Sequence, residues 1–187
     1  MSDSQATVAT PMTPRQRLVA ALFAPSPAGL YGILDAARDE RIYPRLLAFA
    51  AEEEIVPLYQ GAAATEMAAV APYLVRLSAR TRLFAWLLAE GWGRDWGIFF
   101  RADAETEALR GHFRKLSNVR TEDGAVMLFR FYDPRVLSIF LPTCDAAQLA
   151  EIFGPVESFL MEGRGGRMLE TFARDAGTLR HTRVPLF

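Results

Sequence analysis

The sequence predicts one α/β (or α+β) domain, with a mixed β-sheet flanked by helices and a short helical C-terminal part. Two observations carry this. Short apolar runs alternate with segments of helical period from Gly29 to about Arg130. The 187 residues suit a single domain, and 51% of them are hydrophobic, enough for a core that needs no disulfide.

The elements follow in order. Residues 1–12 are small and polar and are expected to form a disordered tail ahead of a domain over 13–187. In "TPRQRLVAALFA", Thr13 suits a helix cap and Pro14 the first turn, with Pro25 and Pro27 beyond its end. "GLYGILDA" reads as a buried strand. A helix over roughly Glu40 to Glu54 places Ile42, Leu46, Phe49 and Ala50 at helical spacing, although Pro44 blurs its start. "IVPLYQG" and "YLVRL" read as strands around a brief helix in "ATEMAAVAP". "TRLFAWLLAEGWG" is apolar nearly all round, predicting a buried helix that stops at Gly91.

"DWGIFFRA" follows as a strand, and Asp103 is expected to cap a helix running to Leu116. Glu105 and Glu107 in its first turn, with Arg114 and Lys115 in its last, complement the helix dipole. "AVMLFRFY" is the clearest strand. Asp133–Pro134 opens a short helix, and Asp145 with Gln148 opens another that Gly154–Pro155 closes. The apolar "VESFLM", the glycine-rich "EGRGGR" and the remaining tail are assigned no further strand.

Charge and composition narrow the function. With 21 basic and 22 acidic residues the net charge is −1, without the basic excess of a nucleic-acid binder or a polybasic membrane patch. Cys144 is the single cysteine. With only His112 and His181 beside it, no closed Cys/His zinc site can be assembled. The start of the chain lacks the basic and apolar regions of a secretory signal, and no apolar run reaches the ~18–20 residues of a membrane span. The expectation is a soluble, cytoplasmic protein.

The block "FRFYDPRVLSIFLP" holds the densest charge in apolar company. Strand alternation puts Arg130 with Val126, Leu128 and Tyr132, which predicts an at least half-buried guanidinium in need of a carboxylate. Asp35, Asp95 and Asp133 are the candidates. Asp133 also suits the cap of the Pro134 helix, so Asp35, Arg130, Asp133 and Pro134 read as a structural motif. Arg135 occupies the first turn of that helix, an unfavourable place for a cation, which points to an acidic neighbour or partner.

In "GWGRDWG", Trp92 and Trp96 flank a tight turn. Exposed, they and Arg94 would make a binding hot spot. The favoured alternative has both indoles plugging the end of the core, with Trp92 the more exposed. Partner-binding candidates are therefore Trp92, Arg94, Trp96, Tyr132 and Arg135. No catalytic residue is assigned: there is no G-x-S-x-G elbow, and neither histidine has a nucleophile at a recognisable spacing. "EGRGGR" lacks the G-K-[ST] ending of a P-loop and reads as a flexible surface turn rather than an anion nest.

"LYGILDAAR", "PLYQG", "APYLVRL", "WLLAEGWGRDWGIFF", "LRGHFRKL" and "FRFYDPRVLSIFLP", in this order and spacing, resemble the DUF4123 family from about Leu30 to Pro155. The family is that of type VI secretion effector chaperones, or adaptors. The resemblance implies a non-enzymatic cytoplasmic protein of a Gram-negative bacterium, without cofactor. It would bind a cognate effector toxin through the toxin's N-terminal region and promote its loading onto the VgrG spike. An immunity protein that neutralises a toxin is the alternative, with a small hydrolase or transferase using Cys144 or His112 a more distant one.

Overall fold

The computed structural model describes residues 11–50, 54–120 and 126–187. Residues 1–10 of the expected tail, and Glu52 and Glu53 at the end of the second expected helix, lie outside them. In chain order the first half comprises α1 (Pro14–Leu22), β1 (Gly29–Asp35), α2 (Ile42–Phe49), β2 (Ile55–Pro57), α3 (Ala62–Glu66), β3 (Pro72–Leu77) and α4 (Arg82–Trp86). The second half comprises β4 (Gly97–Ala102), α5 (Thr106–Leu116), β5 (Asn118–Arg120), β6 (Val126–Leu128), α6 (Pro134–Phe140) and α7 (Ala146–Phe153). Three long strands follow, β7 (Val156–Gly163), β8 (Met168–Asp175) and β9 (Thr178–Pro185).

The main sheet has seven strands in the order β2-β3-β1-β4-β7-β8-β9, every neighbouring pair antiparallel. Its middle strands are apolar on both faces because each face carries a helical layer. Tyr31, Ile33, Leu74, Ile98, Phe100, Phe159 and Phe172 join one core with Leu109 and Phe113 of α5, Leu137 of α6 and Leu149 of α7. Leu30, Leu34, Val75, Phe99, Leu160 and Leu169 face the other core, with Leu18 and Leu22 of α1, Ile42 and Leu46 of α2 and Leu83 of α4. The period-2 alternation of each strand thus divides its side chains between two cores.

Several local expectations have a direct physical counterpart. Thr13 and Gln16 form a reciprocal capping box on α1 behind Pro14, and Asp145 and Gln148 form another on α7. The buried helix loosens after α4 into a π-type turn, Leu87–Gly91. A side chain on Gly91 would come within 2.7 Å of the Trp96 ring, so the glycine is where the indole is received.

Helices flank the sheet as the α/β class requires, but four details need correction. Asp103 does not cap α5, which starts at Thr106 behind Glu105. The sheet is antiparallel throughout rather than mixed. The strand in "AVMLFRFY" stops at Leu128, in a small ladder with β5 apart from the main sheet. Phe131 and Tyr132 are both buried, which a half-exposed strand of period 2 cannot achieve for consecutive residues but a turn can. The turn is closed by the Asp133 amide donating to the Arg130 carbonyl at 3.0 Å. Finally, the chain beyond α7 is not helical. "VESFLM" becomes β7, buried on both faces between β4 and β8, and β9 is held by its ladder to β8 rather than by apolar burial.

Phe113 joins the cores of α5 and the sheet, stacking on Phe131 at 5.3 Å and meeting Phe100 edge-on at 4.8 Å. Phe113→Ala is expected to cost about 3–5 kcal/mol of unfolding free energy, read from urea denaturation.

Candidate interaction site

Two turns meet at one end of β1 and β4, and the chemistry-bearing residues gather there. β1 ends at Asp35, whose amide donates to the Trp96 carbonyl at 2.8 Å, tying the first turn to the second. Asp35 is the N-cap of a 3-10 turn, Ala36–Arg38, and its Oδ1 accepts the Ala37 amide at 3.1 Å. Its Oδ2 accepts a hydrogen bond from the Arg130 guanidinium. The carboxylate is the buried member of the pair, at 1% exposure, whereas the Arg130 side chain is 43% exposed. Arg130 is thus a lid over a buried acid: more than half of its side chain is buried, as expected, and of its three candidate carboxylates it meets Asp35.

Asp133 caps α6 as expected, and Pro134 takes the first helical position. Its Oδ1 accepts both the amide and Nε of Arg135 at 3.0 Å, and its Oδ2 accepts Nη2 at 2.6 Å. The cation at an unfavourable helix start is therefore answered from within the chain: Arg135 grips its own cap. Burial pushes the Asp133 carboxyl up, but the Arg135 bonds outweigh it and hold the group below its usual range.

Asp95 binds the two turns together. It adopts the left-handed conformation at φ 55°, with its carboxylate 3.9 Å from Arg38 and 3.7 Å from Arg135. Its carbonyl accepts Arg38 Nε at 3.2 Å, and its amide donates to Glu162 Oε1 at 2.8 Å. Glu162, on β7, is buried, and burial raises its pKa to about 7 against the opposing pull of the Asp95, Gly93 and Arg94 amides. Among the described residues its Oε2 has no hydrogen-bond partner, an arrangement easier to bear as a neutral carboxyl.

The glycine-rich "EGRGGR" is also engaged. Trp92 Nε1 donates to the Gly166 carbonyl at 2.7 Å, and a side chain on Gly166 would lie 2.8 Å from the Gly93 Cα. Gly93 and Gly166, at φ 91° and 79°, let the two backbones touch. The two motifs, read separately in the sequence, form one structural unit.

Of the partner-binding candidates, Arg94 and Arg135 are exposed and Trp92 is half-buried against Phe99. Trp96 and Tyr132 are buried at 3% and 2% and offer no surface in this fold. Trp96 packs against Trp86 with ring centres 5.0 Å apart, and the Arg41 guanidinium lies over its ring. His112 donates from Nε2 to the Ile152 carbonyl at 2.9 Å, and burial lowers its pKa. The Cys144 thiol donates to the Phe140 carbonyl at 3.4 Å, and burial raises its pKa, the reverse of an activated nucleophile.

The outer face of α6 is not among the sites expected from the sequence. Leu137 and Leu141, four apart, are fully buried, which turns Val136 and Ile139 outward at 38% and 73% exposure. With Asp133, Arg135, Phe140 and Thr143 they line an open hollow of about 510 Å³. The signal was present: an apolar helix wider than the stripe its core requires.

The pairs predict different costs. Arg130→Ala strands the buried Asp35 charge and should cost about 1–2 kcal/mol in urea denaturation, moderated by the exposure of the arginine. Arg135→Ala leaves Asp133 its backbone bond and should cost under about 1 kcal/mol. Glu162 gives a pH dependence of defined sign. Between about pH 4.5 and 7 the folded chain keeps a proton that the unfolded chain releases, so stability falls as pH rises through that window. Glu162→Gln should abolish this component, with the stability difference, variant minus wild type, growing by about 3 kcal/mol from the acidic to the alkaline side.

A family model described as "Domain of unknown function (DUF4123)" matches residues 30–151. No curated protein and no solved structure matches the chain. Among the described residues, no helix is long and apolar enough to cross a membrane. The match takes in Asp35, Trp92, Asp95, Asp133, Arg135 and the whole of α6, and it ends before β7 and Glu162. On that coverage, the chain belongs to the DUF4123 family.

Proposed function

We propose that this protein is a non-enzymatic adaptor that binds a type VI secretion effector in the bacterial cytoplasm and promotes its loading onto the VgrG spike. The observation that carries the reading is the outer face of α6. Val136 and Ile139 stand exposed above an open hollow, edged by the Asp133–Arg135 pair. An apolar centre with a charged rim is the anatomy of a protein-binding patch. Its backing supports the same reading, since Leu137 and Leu141 anchor the helix and Asp95 and Asp133 hold Arg135 in place. The family membership supports it from the side of sequence.

A partner on this face would lay an apolar helix or loop along Val136 and Ile139 and a carboxylate against Arg135. Effector residues that are insoluble alone gain most from such a cover, since burial of apolar surface supplies the driving force. Arg94 and Trp92 extend the accessible surface on the turn beyond Asp95.

The test is co-expression of the tagged chain with the effector encoded beside it. The effector should co-purify, Ile139→Asp should lower its recovery by about tenfold or more, and the melting temperature should stay unchanged. Effector that never co-purifies, together with export that survives deletion of the adaptor gene, would rule the reading out.

A further inference from the structure

We propose that the outer edge of β9 is a second docking site, one that receives an extended, acidic segment of a partner protein as an added strand of the main sheet. This rests on the adaptor reading only for who the partner is; the site itself rests on the sheet. β9 is the last strand in the order and is laddered to β8 over its full length, from Thr178 opposite Asp175 to Pro185 opposite Met168. In an antiparallel ladder, alternate residues turn their N–H and C=O groups away from the partner strand. Among the described residues, nothing pairs with that outward row. The opposite edge, β2, is three residues long and its Pro57 carbonyl already accepts Arg110 Nε at 3.0 Å, so it offers far less. Long open edges bind strands unless something blocks them.

Charge identifies the occupant. β9 carries Arg180, His181 and Arg183 and no carboxylate. Glu170 on β8 serves two of them, accepting from His181 Nε2 at 2.7 Å and lying 3.5 Å from Arg183 Nε. Arg180, opposite Ala173, has no acidic partner among the described residues. A second copy of the chain would set these cations against their like, which disfavours self-pairing. An acidic strand is attracted by the same groups.

The site continues past the strand. At the Pro185 end lies an open groove of about 800 Å³, lined by Trp92, Arg164, Arg167, Met168 and Pro185 among others. Arg164 and Arg167 are exposed, while the Trp92 indole N–H is already spent on Gly166, leaving its ring as an apolar wall. A segment that pairs with β9 and extends past Pro185 comes beside this groove, whose arginines continue the positive charge of the edge.

The test uses the full chain and three labelled ten-residue peptides read by fluorescence anisotropy. One alternates Glu with Val and Thr, one carries Lys in place of Glu, and one repeats the acidic sequence with alternate amides N-methylated so that they cannot donate. The acidic peptide should bind at least about tenfold more tightly than the other two, and Arg180→Glu and Arg167→Glu should each weaken it by about tenfold. Hydrogen exchange should slow at amides of β9. Equal binding of the N-methylated peptide, no binding of the acidic one, indifference to Arg180→Glu, or a β9-linked dimer in sedimentation would each overturn the proposal. Co-purification of effector is scored separately. If it persists in Arg180→Glu while the peptide fails to bind the wild-type chain, the edge site falls and the adaptor reading stands. If the peptide binds and no effector is recovered, the adaptor reading falls and the edge site stands.

Discussion

The charged end of the sheet depends on the backbone of Asp95. A non-glycine residue in the left-handed region is held there at a cost of about 1 kcal/mol, and the bond from its amide to Glu162 helps to offset that. Because Glu162 belongs to β7 and β7 pairs with β4, the bond fastens the turn to the same sheet that the turn feeds. From that one fixed peptide the rest follows. Trp96 is driven inward onto Trp86, the Asp95 carboxylate outward between Arg38 and Arg135, and Trp92 sideways onto the Gly166 carbonyl.

The consequence is a rigid platform beneath an exposed surface. α6 is only seven residues long and would not hold its shape alone. It is clamped at its start by Asp133 and Pro134, from below by Leu137 and Leu141, and laterally by Arg135 against Asp95. Side chains presented by such a helix reach a partner with little further ordering, so more of their contact energy remains for binding. The charges of this end serve geometry first: Arg135 is gripped from two sides yet leaves about half its side chain to solvent.

The far side of the sheet follows a different logic. β8 and β9 extend beyond the strands that the helices cover best, and β9 is exposed on both faces for most of its length. An exposed antiparallel edge is normally a hazard, and cationic side chains are a common guard. Here the guard is selective, because a cationic edge repels its own copies and admits an acidic strand. The near-neutral net charge conceals this, since the acidic residues lie elsewhere on the chain.

Sequence alone determined those features that depend on neighbours in the chain. The caps at Thr13, Asp133 and Asp145, the apolar runs of β1, β3 and β4 and the stop at Gly91 were all legible, because each is a matter of local hydrogen bonding or period. The family was legible too, through motifs in register. Tertiary structure decided whatever joined distant residues. The need of Arg130 for a carboxylate was legible, with Asp35, Asp95 and Asp133 as candidates, but only the fold selects Asp35, 95 residues away, and places the guanidinium on a turn. Nothing in "EGRGGR" announces its contact with "GWGRDWG". β9 has no apolar alternation to betray it, being made by the ladder that β8 supplies. Pairing between distant strands buries and satisfies groups that no local pattern encodes, and so the fold chose the acid among its candidates and assigned the lid and the edge.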